Sequence, residues 1–384
     1  MGTLIIATIA ITLGALPIFL VGANAIFIRE ELGFGETAFG AAASLHYLAS
    51  AAFSLPGGRL TERLGYGKTM AIAATCTLIS VVGIAVAARS WVTLVLFLSM
   101  AGVAQGIAFP ASALALSQGI PVRRQGVAFG IKQSSGPYAT LLAGASVPLV
   151  ALTFGWRWAF AGAAILTIPV IARWRDGANH NVDREGDKSD VDTRSLWILS
   201  GGAFAVVIAT SSFGAFYVES AFANGIDPAL AGTLLAVGSG LGVVARISWG
   251  FVADRNPSWH FSMITTFLIV GAVAFSLMGS VRDGLTLLVL TVIVFGSGWA
   301  WPSVLAFAVV QRQPQAPAVA SGIIGTGQYG GGILGPLGFG FLVERYSYQV
   351  AWQYSAAMAL VAAGLMYVGG RELTKTRVES RSLG

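Results

Sequence analysis

"GGRLTERLG" at residues 57–65 and "WGFVADRNP" at residues 249–257 decide how this chain is built. They lie 192 positions apart and align Gly58, Glu62 and Arg63 with Gly250, Asp254 and Arg255. The same offset brings "AQGIAFP" (104–110) to "SGWAWP" (297–302), so that Pro110 meets Pro302. It also lays "GWRWAFAGAA" (155–164) over "SYQVAWQYSA" (347–356) and Gly40 over Gly232. One constant offset at four places in 384 residues marks an internal duplication.

Composition says what is duplicated. The chain is 55% hydrophobic and 10% charged, whereas soluble domains carry about 25% charged residues. Its apolar runs recur at 4–28, 36–57, 69–88, 91–117, 126–153, 157–172, 195–219, 228–251, 261–281, 285–311, 317–343 and 348–369. They cluster around the roughly 20 residues that a spanning helix needs. They are continuous and do not alternate, which excludes a β-barrel. The expected fold is an all-α membrane protein of twelve transmembrane helices in two pseudo-symmetric six-helix halves. The halves are expected at 1–172 and 195–370, joined by the polar stretch 173–194 and followed by a tail at 371–384.

The net charge of +6 is explained by its distribution. With the N-terminus in the cytoplasm, the loops after the even-numbered helices and the C-terminal tail carry 16 Lys and Arg residues. The opposite side carries five: Arg29, Arg89, Arg157, Arg282 and Arg345. This positive-inside bias places both termini in the cytoplasm, makes the bilayer the partner, and leaves no call for a nucleic-acid surface. The expected location is multi-pass in a cell (inner or plasma) membrane. Helix 1 has neither a basic leader nor a small-residue cleavage site, so it reads as retained. Cys76 is the only cysteine, so no intrachain disulfide forms.

The loop after helix 2, "GRLTERLGYGK" at 58–68, resembles the G-x-L-x-D-R-x-G-R-R pattern of the major facilitator superfamily. Gly58, Leu60, Arg63, Gly65 and Lys68 fit, Glu62 stands for the aspartate, and Tyr66 and Gly67 replace the usual basic pair. The resemblance implies a secondary transporter whose halves rock about a central site. It also implies that Glu62 and Arg63 brace neighbouring helix ends and favour the outward-open state. Gly58, Gly65, Lys68 and the second copy at Gly250, Asp254 and Arg255 belong to the same gating device. The glycine-rich run "GTGQYGGGILGPLGFG" (325–340) suits close packing of membrane helices.

Two basic residues fall inside helices. Lys132 lies seven residues past Gln125 and Arg246 eight residues before Asp254, depths of roughly 10 and 12 Å at about 1.5 Å per residue. The resemblance implies that helices 5 and 8 face each other across the joint between halves, so the two cations occupy opposite walls at matched depth. A charge in mid-bilayer costs on the order of 2.5–3.5 kcal/mol on insertion scales, and a shared anion offsets that cost. "RISWGFVAD" (246–254) is similar to the R-x-x-x-G-x-x-[SA]-D stretch of monocarboxylate carriers and oxalate:formate exchangers. There the arginine contacts the substrate carboxylate, which carries over to Arg246. Helices 1 and 11 lack the second cation of those carriers, leaving that role to Lys132 on helix 5.

Other polar groups complete the candidate site. His46 is the only histidine within a span and the expected proton-coupling or substrate group. Asn24, Gln105, Gln133, Tyr217 and Gln328 are candidate cavity-lining residues. The three histidines are too dispersed for a catalytic or metal constellation, so neither an enzyme nor a cofactor is expected. The expected function is secondary active transport of a small organic anion, a monocarboxylate, coupled to a proton or to exchange, by a monomer. The alternative is a proton-antiporting drug or metabolite exporter for neutral or anionic compounds. Against it, Gly102 stands where such exporters carry a helix-4 arginine, and Lys132 replaces the first glycine of their helix-5 G-x-x-x-G-P motif.

Overall fold

The structure, a computed structural model, describes residues 2–119, 130–174, 192–256, 258–313 and 317–382. Most of the expected linker 173–194, and the basic loop between helices 4 and 5, lie outside the described residues. The described residues are predominantly helical, with short turns between helices, and contain no strand. Helix 1 comprises Gly2–Ala23 and Ala25–Leu32, which meet at Asn24 with a bend of 68°. Helices 2 and 3 form one run, Glu36–Ala87. Helix 4 is Trp91–Gly119, helix 5 Gly130–Phe154, and helix 6 Trp156–Trp174. Helices 7, 8 and 9 are Thr193–Ala223, Pro228–Arg255 and His260–Met278. Helix 10 is Gly284–Ile293 continued, through a π turn, by Trp301–Arg312. Helices 11 and 12 are Pro317–Arg345 and Tyr348–Ser382, so helical backbone continues into the expected tail.

Eight described helices are individually long and apolar enough to cross a membrane, and the bent helix 1 makes a ninth. The 52-residue run is long enough for two crossings, about 78 Å at about 1.5 Å per residue. It turns at Gly65, whose φ of 79° and ψ of 161° are non-helical. A side chain at such a φ is strained, which is why the motif has glycine there. Gly65→Ala is expected to cost about 1–2 kcal/mol, read as a lowered melting temperature of the detergent-solubilised protein. The second motif copy ends differently, with helix 8 stopping at Arg255 and Asn256 capping it.

Large apolar side chains stand on the outer surface, among them Leu149 at 70%, Ile165 at 69% and Leu285 at 73% exposure. Water would penalise such a surface, whereas lipid does not. Inside, lipid offers no hydrophobic force between helices, so association rests on close approach at small residues. The joint between halves is made this way. A Cβ on Gly144 of helix 5 would come within 2.6 Å of the Gly232 carbonyl on helix 8, and one on Gly40 of helix 2 within 2.2 Å of the Pro336 carbonyl on helix 11. A Cβ on Gly22 of helix 1 would meet the Gly214 carbonyl of helix 7 at 2.5 Å. All three contacts lie toward the end of the bundle opposite the chain termini, here called the distal end.

Two spans carry π turns, Val147–Ala151 in helix 5 and Val294–Gly298 in helix 10. Pro148, which has no N–H to donate, sits at the start of the first. The second is followed by Trp299, whose ring stacks on Phe295 at 5.2 Å and touches Phe213 at 5.9 Å and Phe19 of the other half at 5.8 Å.

Candidate functional site

Helices 5 and 8 are neighbours along much of their length. Below the glycine contact, Thr140 and Ser239 hydroxyls meet at 2.8 Å, and a Cβ on Gly130 would lie 3.2 Å from the Arg246 carbonyl. Lys132 and Arg246 therefore belong to facing helices, and both are buried, at 5% and 2% exposure. Neither head group snorkels to the surface of the bundle. Among the described residues neither is paired with a carboxylate.

Arg246 is held by backbone. Its two terminal nitrogens donate to the carbonyls of Gln133 on helix 5 and Trp299 on helix 10. Both acceptors are available for local reasons. Pro137 cannot donate the N–H that would normally bond the carbonyl four residues back, which is that of Gln133. Trp299 falls between the π turn and the next helix, outside both. The guanidinium carbon lies 5.9 Å from the centre of the Trp299 ring, and its Nε is buried without a hydrogen-bond partner. Arg246 thus ties the N-terminal half to the C-terminal half through neutral acceptors and keeps one donor unused.

Lys132 turns into its own half, with its ammonium 4.7 Å from the centre of the Phe109 ring on helix 4. Each buried cation faces an aromatic ring from the repeat-related helices 4 and 10: Phe109, immediately before Pro110, and Trp299, three residues before Pro302. Gln133, half-buried, directs its amide at the Pro302 carbonyl, 3.4 Å away.

The remaining expected site residues divide. His46 is fully buried, with Nδ1 3.0 Å from the Leu98 carbonyl and Nε2 2.8 Å from the Gln105 side chain. A carbonyl only accepts, so Nδ1 carries the proton, and both partners sit on helix 4 of the same half. Tyr217 hydrogen-bonds Thr291 at 2.7 Å within the C-terminal half. Asn24 occupies the bend of helix 1 and donates to the Leu20 carbonyl and to Ser146 of helix 5, leaving its Oδ1 buried and unsatisfied. Gln328 is half-buried on helix 11.

The expected gating residues lie at the other end of the bundle. Glu62, Arg63, Lys68 and Arg255 are exposed, Asp254 is half-buried and Gly250 is buried. The close approach in this loop belongs to Gly57, whose Cβ would lie 2.7 Å from Ile107 Cα, while a Cβ on Gly58 would clear its nearest neighbour, Pro110, by 4.0 Å. Sequence reasoning missed Phe109, Trp299 and the released Gln133 carbonyl. Of these, the carbonyl was readable from the proline four residues after Gln133.

Comparison with known proteins places the fold. The family model described as Major Facilitator Superfamily matches residues 4–336. The chain belongs to the major facilitator superfamily. It is 25% identical over 342 residues to the uncharacterised MFS-type transporter YttB of Bacillus subtilis (strain 168), covering 85% of each chain. It is 23% identical over 399 residues to a putative tartrate transporter of Agrobacterium vitis, covering 94% of this chain and 88% of that one. A crystal structure of a bacterial homologue of the human lysosomal transporter Spinster, inward-facing and occupied, superposes with a TM-score of 0.72. Identity there is 16% and coverage 96% of both chains, so that likeness speaks for the fold alone. The protein is a multi-span membrane transporter of the MFS type.

Proposed function

We propose that this MFS transporter carries a small organic anion by alternating access, with Arg246 and Lys132 neutralising its carboxylate. One observation carries the reading: two cations are buried on the facing helices 5 and 8, and among the described residues neither has a carboxylate partner. Burying an ion without a counter-ion costs several kcal/mol, and an anionic substrate offsets that cost while it is bound. Charge-assisted hydrogen bonds are roughly twice as strong as neutral ones. A carboxylate therefore displaces the Gln133 and Trp299 carbonyls from Arg246 and gives Nε a partner. Binding would then act on helices 5 and 10 at once, linking occupancy to movement of the halves.

A monocarboxylate is the substrate suggested by the helix-8 pattern. The Agrobacterium vitis relative is named for tartrate, a dicarboxylate, and two cations suit a dianion equally well. The transporter works as a monomer in the cell membrane with both termini cytoplasmic, driven by proton symport or anion exchange. His46 is the interior proton candidate, but its hydrogen bonds stay within one half. For that reason His46→Gln is expected to leave the pH dependence of uptake unchanged, and an altered profile would assign coupling to the histidine.

The substrate class is tested by thermal shift of purified protein against lactate, tartrate, a neutral sugar and cationic dyes. A ligand at about 100 times its dissociation constant stabilises by about 2.7 kcal/mol. Stabilisation by lactate or tartrate supports the anion reading and separates its two forms. Stabilisation by dyes or neutral drugs alone would assign export instead.

A further inference from the structure

The distal end holds a second charged constellation, separate from Arg246 and Lys132. The bend at Asn24 lays Ala25–Leu32 across this end and presents Arg29 to both halves. Within its own half, Arg29 donates Nε to the Phe34 carbonyl at 3.1 Å and pairs through Nη2 with Glu36 at 2.8 Å. Across the joint, its Nη1 pairs with Oε1 of Glu219 on helix 7. Glu219 is 6% exposed, and its second oxygen, Oε2, is buried with no hydrogen-bond partner. Nearby, Glu344 at the end of helix 11 accepts from the Thr37 N–H of helix 2 at 3.0 Å, a second tie between halves.

We propose that Glu219 is a proton-binding site that latches the distal gate: ionised, it holds Arg29 and keeps the halves shut, and protonated on Oε2 it lets them part. A proton delivered from water to the free oxygen converts the carboxylate into a neutral acid and ends the ion pair. Arg29 then retains two partners, Phe34 and Glu36, in its own half, so separation strands no guanidinium. That asymmetry distinguishes a releasable latch from a permanent strut. Among the described residues, the charged and titratable groups facing this pair are Glu36 of helix 2, Glu344 of helix 11 and Tyr348 of helix 12, all at the same end. Behind the latch the halves touch at Gly22 and Gly40 through backbone, contacts that carry no charge and do not themselves respond to pH. The site would let an incoming proton open the transporter toward the side it came from, whatever the substrate.

The test measures the distal opening directly. Spin labels are placed at Phe154 and Tyr346, exposed positions at the distal ends of helices 5 and 11, in the full chain with Cys76→Ser. With Glu219 and Arg29 intact, the interlabel distance is expected to lengthen on going from alkaline to mildly acidic buffer. In Glu219→Gln, and independently in Arg29→Gln, the long distance is expected at both pH values. A distance that ignores pH with both residues intact would overturn the proposal, as would a pH response retained in either variant. The readout needs no substrate, so its failure leaves the anion reading standing, and failure of the carboxylate screen leaves the latch standing.

Discussion

Arg246→Gln is expected to abolish carboxylate transport while leaving the ligand-free protein folded and close to its original stability. Two opposing terms decide this. The substitution removes two charge-assisted bonds to carbonyls, each worth about 1.5–3 kcal/mol, and leaves Gln133 and Trp299 without that donor. It also removes a buried, unpaired cation whose desolvation costs several kcal/mol. These nearly cancel, so the melting temperature without ligand should move little. Substrate binding has no such compensation. Loss of one member of a buried charge pair costs about 2–5 kcal/mol, or roughly 30-fold or more in affinity. Uptake and carboxylate-induced stabilisation should disappear together, and Lys132→Gln should behave alike. Transport retained in both variants would sink the anion site.

Gly40→Leu should be as damaging for a different reason. A Cβ there would lie 2.2 Å from the Pro336 carbonyl, an approach that real Cβ atoms do not make to rigid backbone. Helix 2 would have to move away from helix 11, and the distal end could not shut. Overpacking a close-packed joint costs about 1–3 kcal/mol or more, here levied only on the distally closed state. Transport should fall to background, with the protein still inserted and monodisperse. Gly162→Leu is the matched control, because Gly162 faces open space on helix 6 and should retain transport. Normal uptake by Gly40→Leu would show that this contact is not part of the transport cycle.

Much of this architecture is legible before any coordinates. Twelve apolar runs of bilayer length, repeated at an offset of 192, leave few alternatives to two bundles of six. Lys132 and Arg246 stand out because a charge within an apolar helix is costly enough to require a use. What stays hidden depends on geometry with no local signature. The motif at 58–68 reads as a loop, but a single residue, Gly65, makes the turn and lets helices 2 and 3 run as one. Nothing in "VGANAIF" announces a 68° bend at Asn24, since neither of its neighbours is proline. Without that bend Arg29 reads as a loop charge, and its pairing with Glu219, 190 residues away in sequence, cannot be seen. Phe109 and Trp299 are two among many aromatics until helices 4 and 10 bring them to the cations.

The most direct test of the central claim is uptake of radiolabelled lactate and tartrate into proteoliposomes containing the purified protein, run beside Lys132→Gln and Arg246→Gln. The expected result is time-dependent accumulation of at least one carboxylate, competed by the unlabelled compound and absent from both variants. No accumulation of either carboxylate by folded protein, together with transport of a neutral or cationic compound that both variants still perform, would contradict it.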